Sequence, residues 1–194
     1  MVETEKDVKE SIIIAASQMF AKYGYTKTTM NDIANAAKKA KSSLYHYFPG
    51  KENVFEAILD KEFCILRNEL NKAISGVDTP QKKLRAFFLT RMDVLQKLGN
   101  FYTAVKDEYL DHYGFIEKLR KKYDDEEISV IKKILALGIE HDIFAIKDLE
   151  IAAFSIFITV KALEQSWILE NTPEQNKKNL EHIMDIYFYG INKR

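Results

Sequence analysis

The chain has 194 residues, of which 46% are apolar, so it can bury a substantial core and is not globally disordered. Its 29 basic and 29 acidic residues cancel, which excludes an overall field that would draw it to a polyanion. An acidic, polar beginning and a longest apolar stretch of only Ile151 to Val160 argue against a signal peptide and a membrane span, and lead us to expect a cytoplasmic protein without membrane contact.

Proline and glycine are scarce, at 3 and 7 residues, and Ala, Leu, Ile, Lys and Glu recur at helical spacing, so the expected fold class is all-α. A first helix is predicted from about Lys6 to Tyr23, with Val8, Ile12, Ala15, Ala16, Met19, Phe20 and Tyr23 as its apolar stripe. Gly24 ends it. A second begins at Thr28-Thr29, where Thr29 and Asp32 have the spacing of a capping box, and it turns Met30, Ile33, Ala34 and Ala37 inward. A short third helix runs from about Lys41 to Phe48, anchored by Leu44, Tyr47 and Phe48 and closed by Pro49-Gly50. Three short helices with a tight turn between the last two make a helix-turn-helix, whose third helix is the candidate reader of a DNA major groove. Between Lys22 and Lys51 there are six lysines and one acid, a local surplus of five positive charges inside a neutral chain. Such a patch suits phosphate contact, although charge runs are often only solvated faces.

From Lys51 the helices lengthen. One is predicted over 51–75, and a second starts at Asp78-Thr79-Pro80 and ends near Gly99. A shorter helix is expected over 101–113, another from Phe115 to Glu140 with a turn through His141-Asp142, one capped by Asp148 and reaching Ile168, and a last one from Pro173 to Ile191. Cys64, the single cysteine, lies in an apolar helical stretch and reads as a reduced core thiol. The segment from Asp148 to Ile168 is apolar nearly all round and must be covered on every side. One side can face its own core, and the other calls for a second chain, together with Ile183, Met184, Ile186, Tyr187, Phe188 and Ile191 of the last helix.

No catalytic residues, metal ligands or cofactor sites are expected. The four histidines are scattered, and no H-E-x-x-H, nucleophile elbow or phosphate loop is present.

The segment Thr28-Thr29-Met30-Asn31-Asp32-Ile33-Ala34, followed at fixed spacing by Leu44-Tyr45-His46-Tyr47-Phe48 and Lys51-Glu52, with Gly24-Tyr25 before it, closely resembles the TetR (tetracycline-repressor-like) family. The resemblance covers residues 8 to 55. It implies nine helices, a DNA-binding domain over 1–50 and a ligand-binding and dimerisation domain over 51–194. It further implies a homodimer on a palindromic operator in double-stranded DNA, probing base edges with Lys41, Ser42, Ser43, Tyr45 and His46 of the third helix. By the same resemblance Thr29, Ser43, Tyr47 and Lys51 approach phosphates. In the body it implies a four-helix interface that we place at Phe154, Phe157, Ile158, Leu163, Ile183, Ile186 and Tyr187. It also implies a pocket for a small, largely apolar effector among Phe63, Phe88, Arg91, Tyr109, His112, Phe154 and Phe157. An acyl-like effector rests on the resemblance alone. Function would then be that of a regulator, most simply a repressor released by its effector.

The sequence departs from the family in the turn. Where a glycine, a small apolar residue and a serine are common, it has Lys38, Lys39 and Ala40. Lysine is penalised in a left-handed conformation and alanine cannot cap a helix. This motivates an alternative: a helical ligand-binding or adaptor protein whose head has lost specific DNA binding.

Overall fold

The computed structural model describes residues 4–98, 113–169 and 173–190, and every regular element among them is an α-helix. There are eight: α1 (Glu5–Tyr23), α2 (Met30–Ala36), α3 (Lys41–Tyr47), α4 (Lys51–Ser75), α5 (Pro80–Lys97), α6 (Tyr113–Glu140), α7 (Leu149–Leu169) and α8 (Pro173–Tyr189). The short helix expected over 101–113 lies largely outside the described residues. None of the described helices is long and apolar enough to cross a membrane.

The described residues form two compact units. One holds the chain as far as Ile65 with Leu98 joining it, and the other holds Leu66–Lys97 and the chain from Glu117 on. In the first, α1 packs on α2 and α2 on α3. Ile12, Ala16, Phe20, Ile33, Leu44, Val54, Phe55, Ile58 and Leu59 are buried in its core. Phe20, Tyr25 and Phe55 form an aromatic triad with ring centroids 4.9 to 5.6 Å apart, the spacing at which edge and tilted contacts are favourable.

Helix starts follow local chemistry. Thr79 accepts the Lys82 N–H at 3.3 Å just before Pro80, and Asp148 Oδ1 accepts the Ile151 N–H at 3.0 Å, as the sequence predicts. Thr4 and Asp7 form a capping box at the start of α1 that has the same Thr-x-x-Asp spacing as residues 29–32. Tyr23 does not belong to the inward stripe of α1. It is exposed in the last turn, where Lys22 lies over its ring at 5.0 Å.

In the second unit α5 packs on α7 and α8. Its core includes Leu84, Phe87, Phe88, Met92, Ile131, Ile134, Phe157, Val160, Leu180 and Met184. Arg91 of α5 and Glu127 of α6 form an ion pair inside it, with side chains only 2% and 8% exposed. Lys161 of α7 pairs with Asp124 of α6 at 2.8 Å. Gly138 permits a close approach at the end of α6: a Cβ there would come within 2.0 Å of the Phe144 ring, which stacks on Phe188.

The expectation for Cys64 is corrected. Its thiol-bearing residue is exposed, because the inward stripe of α4 runs through Ile58, Leu59, Phe63, Leu66 and Leu70 and leaves Cys64 and Ile65 outside it. A run of consecutive apolar residues on a helix cannot all face inward.

Candidate nucleic-acid interface

The head presents its polar groups on one short helix held from beneath. Leu44 and Phe48 are buried, while Lys41, Ser42, Tyr45 and His46 of α3 are exposed and Ser43 and Tyr47 are half-buried. The buried pair therefore orients the helix so that its hydroxyls, imidazole and ammonium face outward. Lys9 of α1 lies 5.5 Å from the Phe48 ring centroid and adds a cation–π contact at the end of α3.

Lys38 adopts a left-handed conformation, with φ of 54°, and Ala40 caps α3 with no side-chain hydrogen bond. Both follow from the unusual lysine-rich turn. The turn nevertheless closes, with Lys38 N–H donating to Asn35 O at 3.1 Å and Lys39 N–H to Ala34 O at 3.0 Å. Helix α3 forms over Lys41–Tyr47 without the glycine.

Ahead of α2, Thr29 Oγ1 accepts the Asp32 N–H at 3.2 Å, and the Thr29 hydroxyl and N–H donate to Asp32 Oδ2 at 2.6 and 2.9 Å. The hydroxyl bond, and then the backbone bond, hold the Asp32 carboxyl below its ordinary pKa, so it is ionised at neutral pH. The loop before it is tied down as tightly. Thr28, buried, donates its hydroxyl to Gly24 O at 2.8 Å. Lys51, from the first turn of α4, donates to Tyr25 O at 2.8 Å and to Thr26 O at 3.5 Å, with its Nζ 4.3 Å from the Tyr25 ring centroid. Burial lowers the pKa of Lys51 from the usual lysine value, opposed by the nearby Glu52 charge.

These pieces enclose a cleft of about 360 Å³ lined by Thr26, Thr28, Thr29, Met30, Asn31, Lys41, Tyr45 and Lys51. Of the expected DNA-contacting residues it gathers Thr29, Lys41, Tyr45 and Lys51. Ser42, Ser43, His46 and Tyr47 lie on α3 outside it, with the His46 and Tyr47 rings in edge contact at 5.1 Å. Thr26 and Asn31 line the cleft and were not singled out from sequence. Asn31 could have been found as the exposed neighbour of Met30 on α2.

In the body, Phe63, Phe88 and Arg91 are buried, and Arg91 is engaged by Glu127. Phe154 and Phe157 part company: Phe157 is 3% exposed and Phe154 is 54% exposed. Phe154 therefore does not line the interior of its own protomer, and Phe157 faces its own core rather than a partner. Three residues on, an α-helix has turned through about 300°, which is enough to move a side chain from one face to the next. Ile158, Ile186 and Tyr187 are exposed, and Leu163 and Ile183 are half-buried. Exposed Ile151, Phe154 and Ile158 form one row on α7. Tyr187 Oη is 2.6 Å from Thr159 Oγ1, joining α8 to α7 beside that row. Tyr109 and His112 lie outside the described residues. Among the described residues no three His, Cys, Asp or Glu side chains gather as a metal site.

Residues 12–58 match the family described as bacterial regulatory proteins, tetR family. The HTH-type transcriptional repressor KstR2 of Mycolicibacterium smegmatis is 24% identical over 135 residues, which are 67% of this chain and 66% of that protein. The fatty acid degradation regulator FadR of Bacillus halodurans superposes with a TM-score of 0.79 at 18% identity, covering 98% of this chain and all of that one. FadR of Bacillus subtilis, solved in complex with stearoyl-CoA, does so with a TM-score of 0.72 at 21% identity, covering 94% and 99%. The two structural likenesses establish the fold over nearly the whole chain, and the match over the head falls on the residues that build α1 to α3 and the start of α4. Over residues 12–58 the chain thus matches the tetR family of bacterial regulatory proteins, and over the remainder the likeness is one of fold.

Proposed function

We propose that the protein is a cytoplasmic, homodimeric repressor that reads a palindromic operator and is released by a small, largely apolar effector. The observation that carries this reading is α3, whose outward surface consists of Lys41, Ser42, Tyr45 and His46 above buried Leu44 and Phe48. Lysine can donate to guanine N7 and O6, serine serves several bases, and tyrosine can meet a base edge or a thymine methyl. We assign 1–50 to DNA binding and 51–194 to effector binding and dimerisation. Thr29, Ser43 and Tyr47 flank the reading surface as phosphate contacts.

The exposed apolar row of Ile151, Phe154 and Ile158, with Ile186 and Tyr187 of α8, is the proposed dimer face. A two-fold axis there would pair two heads with two half-sites. Since the Bacillus subtilis relative is described with stearoyl-CoA, an acyl-bearing effector is our choice. Buried Phe88 and Phe157 are proposed to contribute to its apolar wall. Effector binding would act by favouring a body conformation in which the heads no longer match the half-site spacing.

The test compares wild type with Lys41→Ala on the DNA upstream of the protein's own coding sequence and on single-base variants of the palindrome. Wild type should discriminate by about 1–3 kcal/mol at the base pair facing Lys41, and the variant should not. If wild type itself does not discriminate, the reading is wrong.

A further inference from the structure

The loop between α1 and α2 presents three successive carbonyls, at Gly24, Tyr25 and Thr26, each of which accepts a hydrogen bond from a side chain. Thr28 serves the first, and Lys51 the second and third. Lys51 reaches them across 26 and 25 residues of chain, from the first turn of α4. An ammonium has three N–H donors. Two point at these carbonyls, and the Tyr25 ring lies against the same nitrogen. The ring is itself packed in the triad with Phe20 and Phe55, so the contact is fixed from below as well as from above.

The loop ends at Thr29, which caps α2 and lines the cleft with Asn31, Lys41 and Tyr45. We propose that Lys51 is a positioning residue of the head: it clasps the segment 24–29 and so sets the start of α2 against α3, instead of serving as a phosphate contact. This goes beyond, and rests on, the DNA-binding reading above. It reverses the role expected for Lys51 from sequence. Two of the three N–H donors of Lys51 are taken by carbonyls, which leaves one for any other acceptor. Lys41, which lines the same cleft as Lys51, is exposed. The lowered pKa of Lys51 is in keeping with an ammonium drawn out of water.

The two roles separate in the free protein. Amide hydrogen exchange over residues 25–32 should be compared in full-length wild type, Lys51→Met and Lys51→Arg without DNA. A clasp predicts that Lys51→Met loses protection there by about tenfold or more, while Lys51→Arg, which keeps donors and charge, retains most of it. A phosphate contact predicts no change without DNA. Binding of the same three proteins to the upstream duplex is then followed against salt. The clasp predicts weaker binding by Lys51→Met with an unchanged slope of log affinity on log salt, whereas loss of one phosphate contact makes the slope shallower by about 0.9.

Unchanged exchange together with a shallower slope overturns the proposal. Failure of Lys51→Met to fold while Lys51→Arg folds supports it, since a surface phosphate contact is dispensable for folding. If wild type shows no salt-dependent DNA binding, the DNA reading falls, and the exchange comparison still decides whether Lys51 holds the loop.

Discussion

Lys38 occupies a left-handed conformation at a position where a glycine would be unstrained. A left-handed non-glycine residue costs roughly 1–2 kcal/mol, and glycine returns part of that by loosening the unfolded chain. Lys38→Gly should therefore stabilise the head by about 0.5–1 kcal/mol, read as a rise in the thermal or denaturant midpoint. An unchanged or lowered midpoint would show that the turn is not strained. This penalty was legible through the family resemblance, which puts a glycine where Lys38 stands, and the positive φ of Lys38 shows that the turn keeps the left-handed geometry. The role of Lys51 was not. Its acceptors are backbone carbonyls at Tyr25 and Thr26, and no residue pattern marks a carbonyl that awaits a distant donor.

The long helices were readable nearly to their ends. Apolar spacing and caps such as Thr79-Pro80 and Asp148 are local signals, and local signals survive folding. Which face of a helix points where is another matter. The α7 segment carries apolar residues all round, so nothing in its pattern distinguishes Phe154, outside, from Phe157, inside. Only the helices packed against it decide that.

Between α5 and α6, burial of Arg91 with Glu127 gives a sharper prediction. Glu127→Leu removes the carboxylate from a buried guanidinium and should destabilise the protein by about 3–5 kcal/mol. Arg91→Met combined with Glu127→Leu should recover most of that loss, because the charge that needed a partner is gone. Chemical denaturation of the two variants measures this directly. A double variant as unstable as the single one would mean that the pair serves as more than mutual compensation.

At the scale of the whole molecule, zero net charge conceals a division of labour. The head has a surplus of five positive charges between Lys22 and Lys51, and the rest of the chain balances it. The proposed dimer makes that arrangement useful, since two modest basic surfaces acting together gain from each other's proximity. The row at Ile151, Phe154 and Ile158 is the face to break. Ile158→Asp would place a charge at its end and should shift the protein from dimer to monomer in sedimentation velocity, with weaker DNA binding and an intact head. A variant that stays dimeric would place the interface elsewhere.

The central claim is that α3 reads sequence and does not merely attract phosphate. Its most direct test is the affinity of wild-type protein for its upstream duplex and for a shuffled duplex of equal composition, each titrated against salt. The account predicts a specific complex about 10³-fold tighter or more than the shuffled one. It also predicts a log affinity that falls linearly with log salt. Equal and weak binding to both duplexes at every salt concentration would contradict it.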